Sequence, residues 1–249
     1  MDALTIAAAS GLQSRMDTLD LLANYLANAG TSGYKTDSAF YGLYVSPEAY
    51  SEMGGEFVST LPVVQKQWTD FAQGTLTSTG NPLDVALTGR GFIAANGPGG
   101  VVYTRNGSLK IAPNGNLVTG DGYSVRSRGT SGKPIHVASQ KTILISPDGT
   151  VQQDGQTIGQ LEIMDFTSTG SLKKLTAAAF QNTDPRNAPA PAGDVQVEQG
   201  KLEASNVVVP ESAIRLVSLM RQFEMLQKAV TLDSQMDQQG IQEVARVTS

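Results

Sequence analysis

The sequence predicts an α+β fold in which long N- and C-terminal helices pair as a coiled coil and flank a central antiparallel all-β domain, barrel- or sandwich-like. Three observations lead there. Apolar residues recur at helical spacing up to Ala29 and again from Pro210 to Val247; turn dipeptides punctuate short β-rich runs between them; and leucines in both terminal stripes step by seven.

The first element is a helix over residues 1–30. Leu4, Ala8, Gly11, Leu12, Leu19, Leu22 and Leu26 share one face, because residues three and four apart stack on a helix. Residues 1–29 hold no proline and one glycine, Gly11, which fits a helix of about 44 Å at about 1.5 Å per residue, with Gly30 placed to stop it. Residues 31–80 form a mixed linker region, where Gly42, Gly54, Gly55 and Gly74 are set among Tyr34, Phe40, Tyr41, Tyr44, Tyr50, Phe57, Trp68 and Phe71. Those aromatics need a place to pack.

A β-domain is expected over residues 81–183. Asn96-Gly97, Asn106-Gly107, Asn114-Gly115, Asp121-Gly122, Asp148-Gly149 and Asp154-Gly155 are hairpin signals, and Leu83, Val85 and Leu87 alternate with Asp84, Ala86 and Thr88 between them. Residues 184–204 read as an extended Pro/Ala-rich connector and a return strand around Val195, Val197 and Leu202. The last element is a helix over residues 205–249, entered at Pro210, whose missing N–H costs nothing at a first helical position. Its stripe is Leu216, Leu219, Phe223, Leu226 and Val230. The seven-residue steps Leu12, Leu19, Leu26 and Leu219, Leu226 suit a helix packed along a partner, either the other end of the chain or another copy.

Composition narrows the function. The chain has 249 residues, 40% apolar, enough for a real core, and a net charge of −5. Its eighteen Lys and Arg are scattered, with no basic run to neutralise a row of phosphates, which argues against a nucleic-acid partner. Cysteine is absent, removing disulfides, thiolate chemistry and Cys-based zinc. No run of about 18 apolar residues suggests membrane insertion, and a cleavable signal peptide is not evident, so export would need another route.

Candidate chemistry is thin. The single histidine, His136, lies in a strand-like run and reads as structural or surface-placed, and a catalytic zinc site needs about three protein ligands. Asp148 and Asp154 suggest turns, because the calcium-loop spacing is missing. Asp84, Asp148, Asp154, Glu162 and Asp165 contain no pair singled out for glycoside hydrolysis. The glycines of Thr88-Gly-Arg-Gly-Phe92 lack the second half of a phosphate-binding loop and look like a tight turn. No catalytic residue, cofactor or metal is expected.

The run Leu22-Ala-Asn-Tyr-Leu-Ala-Asn-Ala-Gly-Thr-Ser-Gly-Tyr-Lys35 resembles the N-terminal signature of the bacterial flagellar rod and hook family, A-N-x-L-A-N-x-x-T-x-G-[FY]-K. It matches at Ala23, Asn24, Leu26, Ala27, Asn28, Thr31, Gly33, Tyr34 and Lys35, with Tyr25 where the family often carries a second asparagine. The likeness continues through Thr79 to Phe92 with Asn81, Leu83 and Asp84, then Tyr103 to Gly107, Gly115 to Gly120, Gly200 to Val207 with Ser205 and Asn206, and Arg221 to Met225. Within the family the chain is most similar to the proximal rod protein, with the distal rod protein next.

That resemblance implies a structural subunit in the periplasmic rod of the basal body, whose terminal helices build an inner tube with the β-domain outside. It also implies partners: copies of itself, other rod proteins and the flagellar type III export apparatus. The expected assembly interface is Leu12, Leu19, Leu22, Leu26, Leu216, Leu219, Phe223, Leu226 and Val230. Two readings from other classes compete: a secreted carbohydrate-binding or carbohydrate-acting β-domain with incidental tails, and a closed trimeric adhesin or fibre subunit.

Overall fold

The computed structural model describes residues 3–45, 60–138 and 142–247. The chain divides into two compact units, one made of Met1–Leu26, Ser38–Gln67 and Val208–Ser249, the other of Ala27–Asp37 and Trp68–Val207.

The first unit holds helix α1 (Ala3–Ala27), helix α2 (Val209–Val247) and most of a two-stranded ribbon, β1 (Asp37–Val45) with β2 (Thr60–Thr69). The structure corrects the expected coiled coil: among the described residues α1 and α2 do not lie along each other as a long helical pair. The sequence explains why. A coiled-coil seam needs apolar residues sustained over three to four heptads. Here the seven-residue series runs from Thr5 through Leu12, Leu19 and Leu26, and from Leu219 and Leu226 into Asp233 and Gly240. The helices also differ in length, 25 against 39 residues. α1 ends at Ala27, ahead of Gly30, and the left-handed residue of the exit is Gly33 (φ 69°). Tyr50, Phe57, Gly54 and Gly55 of the expected linker lie outside the described residues, as do the side chains of Phe40, Tyr41 and Tyr44.

The second unit is the β-rich body. Its strands are β3 (Leu76–Ser78), β4 (Val85–Thr88), β5 (Phe92–Gly97), β6 (Gly100–Thr104), β7 (Lys110–Ile111), β8 (Leu117–Val118), β9 (Ser124–Val125), β10 (Ile143–Ile145), β11 (Thr150–Gln153), β12 (Gln156–Gln160), β13 (Ile163–Asp165), β14 (Leu172–Lys174), β15 (Ala179–Asn182), β16 (Ala190–Pro191), β17 (Gln196–Gln199) and β18 (Lys201–Glu203). The main sheet runs β14-β15-β6-β5-β9-β8-β7, with β13 added on β5 and β16 on β13. A three-stranded sheet runs β10-β11-β12, and two pairs close the body, β17 with β4 and β18 with β3.

Turn chemistry sets much of this. Asp154 (φ 51°) and Gly155 (φ 77°) form the two-residue hairpin between β11 and β12, the conformation that favours Asp-Gly. At Asn96-Gly97 the dipeptide ends β5, and Pro98-Gly99 makes the turn. Asn106-Gly107 makes no hairpin: Gly107 lies against Val85, and a β-carbon there would sit 1.7 Å from the Val85 carbonyl oxygen. Alternation along β5 explains why the body has two apolar layers. Ile93 faces the aliphatic core with Val85, Leu87, Leu117, Ile135, Val151 and Leu161. Phe92 and Ala94 face an aromatic cluster with Tyr103, Phe166 and Phe180. Phe71 joins that cluster edge-on, 4.9 Å from Phe180 and 5.3 Å from Phe92 between ring centroids.

Candidate functional site

Three stretches distant in sequence meet inside the second unit: residues 33–37, 70–75 and 203–206. The approach to them is a stopped helix. Beyond Ala27 the Thr31 amide donates to the Asn28 carbonyl at 3.0 Å, the Thr31 hydroxyl lies 3.1 Å from Asn28 Oδ1, and the Tyr34 amide reaches the Thr31 carbonyl at 3.2 Å. Gly33 then turns with positive φ so that its amide donates to the Glu203 carbonyl at 2.8 Å. A methyl at Gly33 would sit 2.4 Å from the Asn106 nitrogen, so only glycine fits.

Behind this turn is a buried charge cluster. Lys35 and Glu203 are each 0% exposed and form an ion pair, and Lys35 Nζ also donates to the Ala72 carbonyl at 2.7 Å. Glu203 Oε1 accepts the Gly74 amide at 2.9 Å, while Oε2 accepts Arg105 Nη1 at 3.2 Å. Arg105 reaches further, donating to the Gly89 carbonyl at 2.6 Å and lying over the Phe92 ring at 5.4 Å. The glycine-flanked turn at Gly89 therefore supplies a carbonyl to an arginine. Burial lowers the Lys35 and Arg105 pKa values, and attraction to Glu203 opposes that shift at both.

A second layer ties the same stretches with one amide. Asn206 Oδ1 accepts the Thr36 amide at 2.8 Å, its Nδ2 donates to the Asp70 carbonyl at 2.9 Å, and its backbone amide reaches the Tyr34 carbonyl at 3.3 Å. The Asp70 amide donates to the Thr36 carbonyl at 2.8 Å, closing the ring of contacts. At the root of β1 and β2, Lys174 Nζ bonds Asp37 Oδ2 at 2.6 Å, donates to the Lys35 carbonyl and sits 4.3 Å from the Tyr34 ring centroid. The Thr69 hydroxyl donates to Asp37 Oδ1 at 2.6 Å. Burial lowers the Lys174 pKa against the pull of Asp37.

The family-signature residues thus divide by place. Gly33, Tyr34 and Lys35 are buried in the cluster, with Asn206 and Ser205 half-buried beside it; Leu26, Asn28 and Thr31 are half-buried, and Ala23 and Asn24 are exposed on α1. Asn81, Leu83 and buried Asp84 form a separate turn, where Asn81 Nδ2 bonds Asp84 Oδ1 at 3.0 Å and the Asp84 carbonyl accepts the Gly200 amide at 2.8 Å. Among the expected interface residues, Leu22 and Leu219 are buried, while Leu12, Leu19, Leu26, Leu216, Phe223, Leu226 and Val230 are half-buried. The most exposed apolar residues of α2 are others: Ile214 at 71%, Met225 at 62%, and Val217, Met220 and Leu232. The sequence reading did not single out Glu203 or Arg105 as site residues. Their only sequence signal is that a lysine held in a signature and buried needs a carboxylate, and nothing local says which.

The candidates for chemistry are engaged elsewhere. His136 is exposed, with Nδ1 3.4 Å from Asn116 Oδ1. Asp148 accepts the Thr150 hydroxyl, Glu162 pairs with Arg126 at 2.5 Å, and Asp165 lies 3.7 Å from Arg90. Among the described residues no three His, Asp or Glu side chains gather around a point that could hold a metal, and no helix is long and apolar enough to cross a membrane.

Two family models match the chain: the flagellar hook protein FlgE/F/G D1 domain over residues 86–153, and the flagellar basal body rod FlgEFG protein C-terminal region over residues 198–243. The flagellar basal-body rod protein FlgG of Agrobacterium fabrum is 30% identical over 266 aligned positions, covering 95% of this chain and 97% of its own. The chain belongs to the flagellar basal-body rod family. FlgG of Caulobacter vibrioides is 30% identical over 249 positions, covering 92% of this chain and 94% of its own. FlgF of the same organism is 29% identical over 233 positions, covering 92% of each. As a member of the rod family, the chain is a structural subunit of the flagellar basal body. The first family match includes Arg105, and the second includes Glu203, Asn206 and most of α2.

Proposed function

We propose that this chain is a FlgF-type subunit of the proximal rod, a non-enzymatic building block. In this reading it reaches the periplasm unfolded through the flagellar type III export apparatus. It then joins copies of itself and other rod proteins through its terminal segments into a helical shaft that transmits torque. The observation that carries the assembly reading is the apolar surface α2 leaves open to water, with Ile214, Val217, Met225 and Leu232 all exposed. Burying four such side chains on assembly contributes about 1.5–3 kcal/mol each before ordering costs. A contact repeated from copy to copy without closing gives an open helix.

Alignment lengths support the FlgF-type assignment. The Caulobacter FlgF alignment covers 92% of 249 residues, about 229, in 233 positions, so this chain needs about four gaps. The FlgG alignment from the same organism covers the same share in 249 positions, leaving about 20. The test is to purify basal bodies from cells whose only copy carries Ile214→Asp with Met225→Asp. Loss of the subunit from the rod, with the secreted protein still folded, is expected; normal incorporation would overturn the α2 reading.

A further inference from the structure

We infer that residues 196–206 are a closing clasp: the β-rich unit completes its fold only when this late segment lies on residues 33–37, 70–78 and 85–88, with Glu203 as the group that locks it. Four observations converge. Among the described residues, the ladder partner of β3 is β18 and that of β4 is β17; apart from the Asp84–Ser108 bridge and the Val85 amide on the Gly107 carbonyl at the start of β4, both early strands lack a partner until the segment arrives. The amides of Gly33, Gly74 and Thr36 end on Glu203 or Asn206. The Gln199 side chain caps the edge of β10, accepting the Ile145 amide at 3.1 Å and donating to the Ile143 carbonyl at 2.9 Å. Finally, Lys35 and Arg105 are both buried, and Glu203 is the carboxylate that pairs with each.

The charge pattern makes the clasp selective. Two cations in low dielectric without a counter-ion favour an open, hydrated arrangement, so residues 33–37 and the Arg105 pocket stay accessible while Glu203 is absent. The main sheet, by contrast, draws its strands from residues 92–191 and closes without the segment. Lys35 and Glu203 are separated by 168 positions, so their contact is a late, high-entropy closure. In a chain delivered N-terminus first, the signature segment would stay unlatched until residue 203 has emerged. That use rests on the export proposed above, whereas the folding order does not.

Pulse-labelling hydrogen exchange during refolding of the full chain from urea tests the order. The amides of Gly33, Thr36 and Gly74 are expected to gain protection together with Val197, Gly200 and Ala204, after Ala94 and Arg126 of the main sheet. In the folded state, Glu203→Gln is expected to speed exchange at Gly33, Thr36 and Gly74 by roughly a hundred-fold or more, with Ala94 and Arg126 changed less than about threefold. Protection of Thr36 and Gly74 before Val197 would overturn the clasp, as would a Glu203→Gln chain in which all five amides speed up equally or none does. Should that variant fail to fold, the wild-type order alone decides. None of these outcomes depends on membership of the rod.

Discussion

Replacing Glu203 with Gln and Lys35 with Met, one at a time, removes opposite charges from the same buried cluster, and the two losses are expected to be unequal. Glu203→Gln leaves Lys35 and Arg105 buried without their paired carboxylate, with only the weaker pull of Asp70 on Lys35 and of Asp165 on Arg105. It also turns an amide NH2 toward groups that only donate. Breaking a buried pair in this way costs about 3–5 kcal/mol. Lys35→Met leaves Glu203 paired with Arg105 at 3.2 Å and still accepting the Gly74 amide, so the main loss is the bond to the Ala72 carbonyl, about 1–3 kcal/mol. It also removes a desolvated ammonium. For a unit of this size each kcal/mol lowers Tm by about 2–4 °C, which puts Glu203→Gln about 6–20 °C and Lys35→Met about 2–12 °C below the wild type. The assay is urea and thermal unfolding of the full-length variants by circular dichroism. A Lys35→Met loss equal to that of Glu203→Gln, or a Glu203→Gln loss under about 1 kcal/mol, would refute the view that an excess of buried positive charge governs the cluster.

Other consequences are as open to measurement. Because burial holds Lys35 below its ordinary 10.5, the unfolded chain keeps a proton the native state has lost between that lowered value and 10.5. Stability from this group therefore rises with pH across the window, and urea midpoints through it should climb less steeply in Lys35→Met; an unchanged slope would place the titration elsewhere. Gly33→Ala forces a left-handed alanine and a clash with the Asn106 nitrogen, so a loss of about 1–3 kcal/mol or more is expected in urea unfolding, and a neutral result would deny the close approach. Phe180→Ala empties the centre of the aromatic cluster and should cost about 3–5 kcal/mol in the same assay. Phe223→Asp should block incorporation into basal bodies while circular dichroism shows the β-rich unit unchanged; unfolding of that unit would place Phe223 in its core.

The parts of the fold legible in sequence were those set by local chemistry. Asp154-Gly155 announces its hairpin because few other dipeptides take positive φ at both positions, and the alternation of Leu83, Val85 and Leu87 with Asp84, Ala86 and Thr88 marks β4. Long-range closure was not legible. Period-two patterning cannot say that β17 returns to β4, or that Glu203, among twenty-three acidic residues, is the one that meets Lys35. The coiled-coil expectation failed for a related reason: leucines seven apart are compatible with a seam, yet α1 has three of them, the α2 series meets Asp233 and Gly240 after two, and apolar side chains such as Ile214 and Met225 lie off the stripe. The signature was recognised as a pattern, but its physical content, a glycine turn, a buried lysine and an asparagine that ties three stretches, became visible only when residues 33–37 and 203–206 came together.

As a rod subunit, the chain is proposed to be held to its neighbours by the apolar side chains that α2 leaves exposed. A cryo-electron microscopy map of basal bodies purified from cells that make the protein tests it most directly. Several copies are expected in the proximal rod, with Ile214, Val217 and Met225 of each copy buried against a neighbouring subunit. A map in which the chain is absent from the rod, or in which those three side chains still face water, would contradict it.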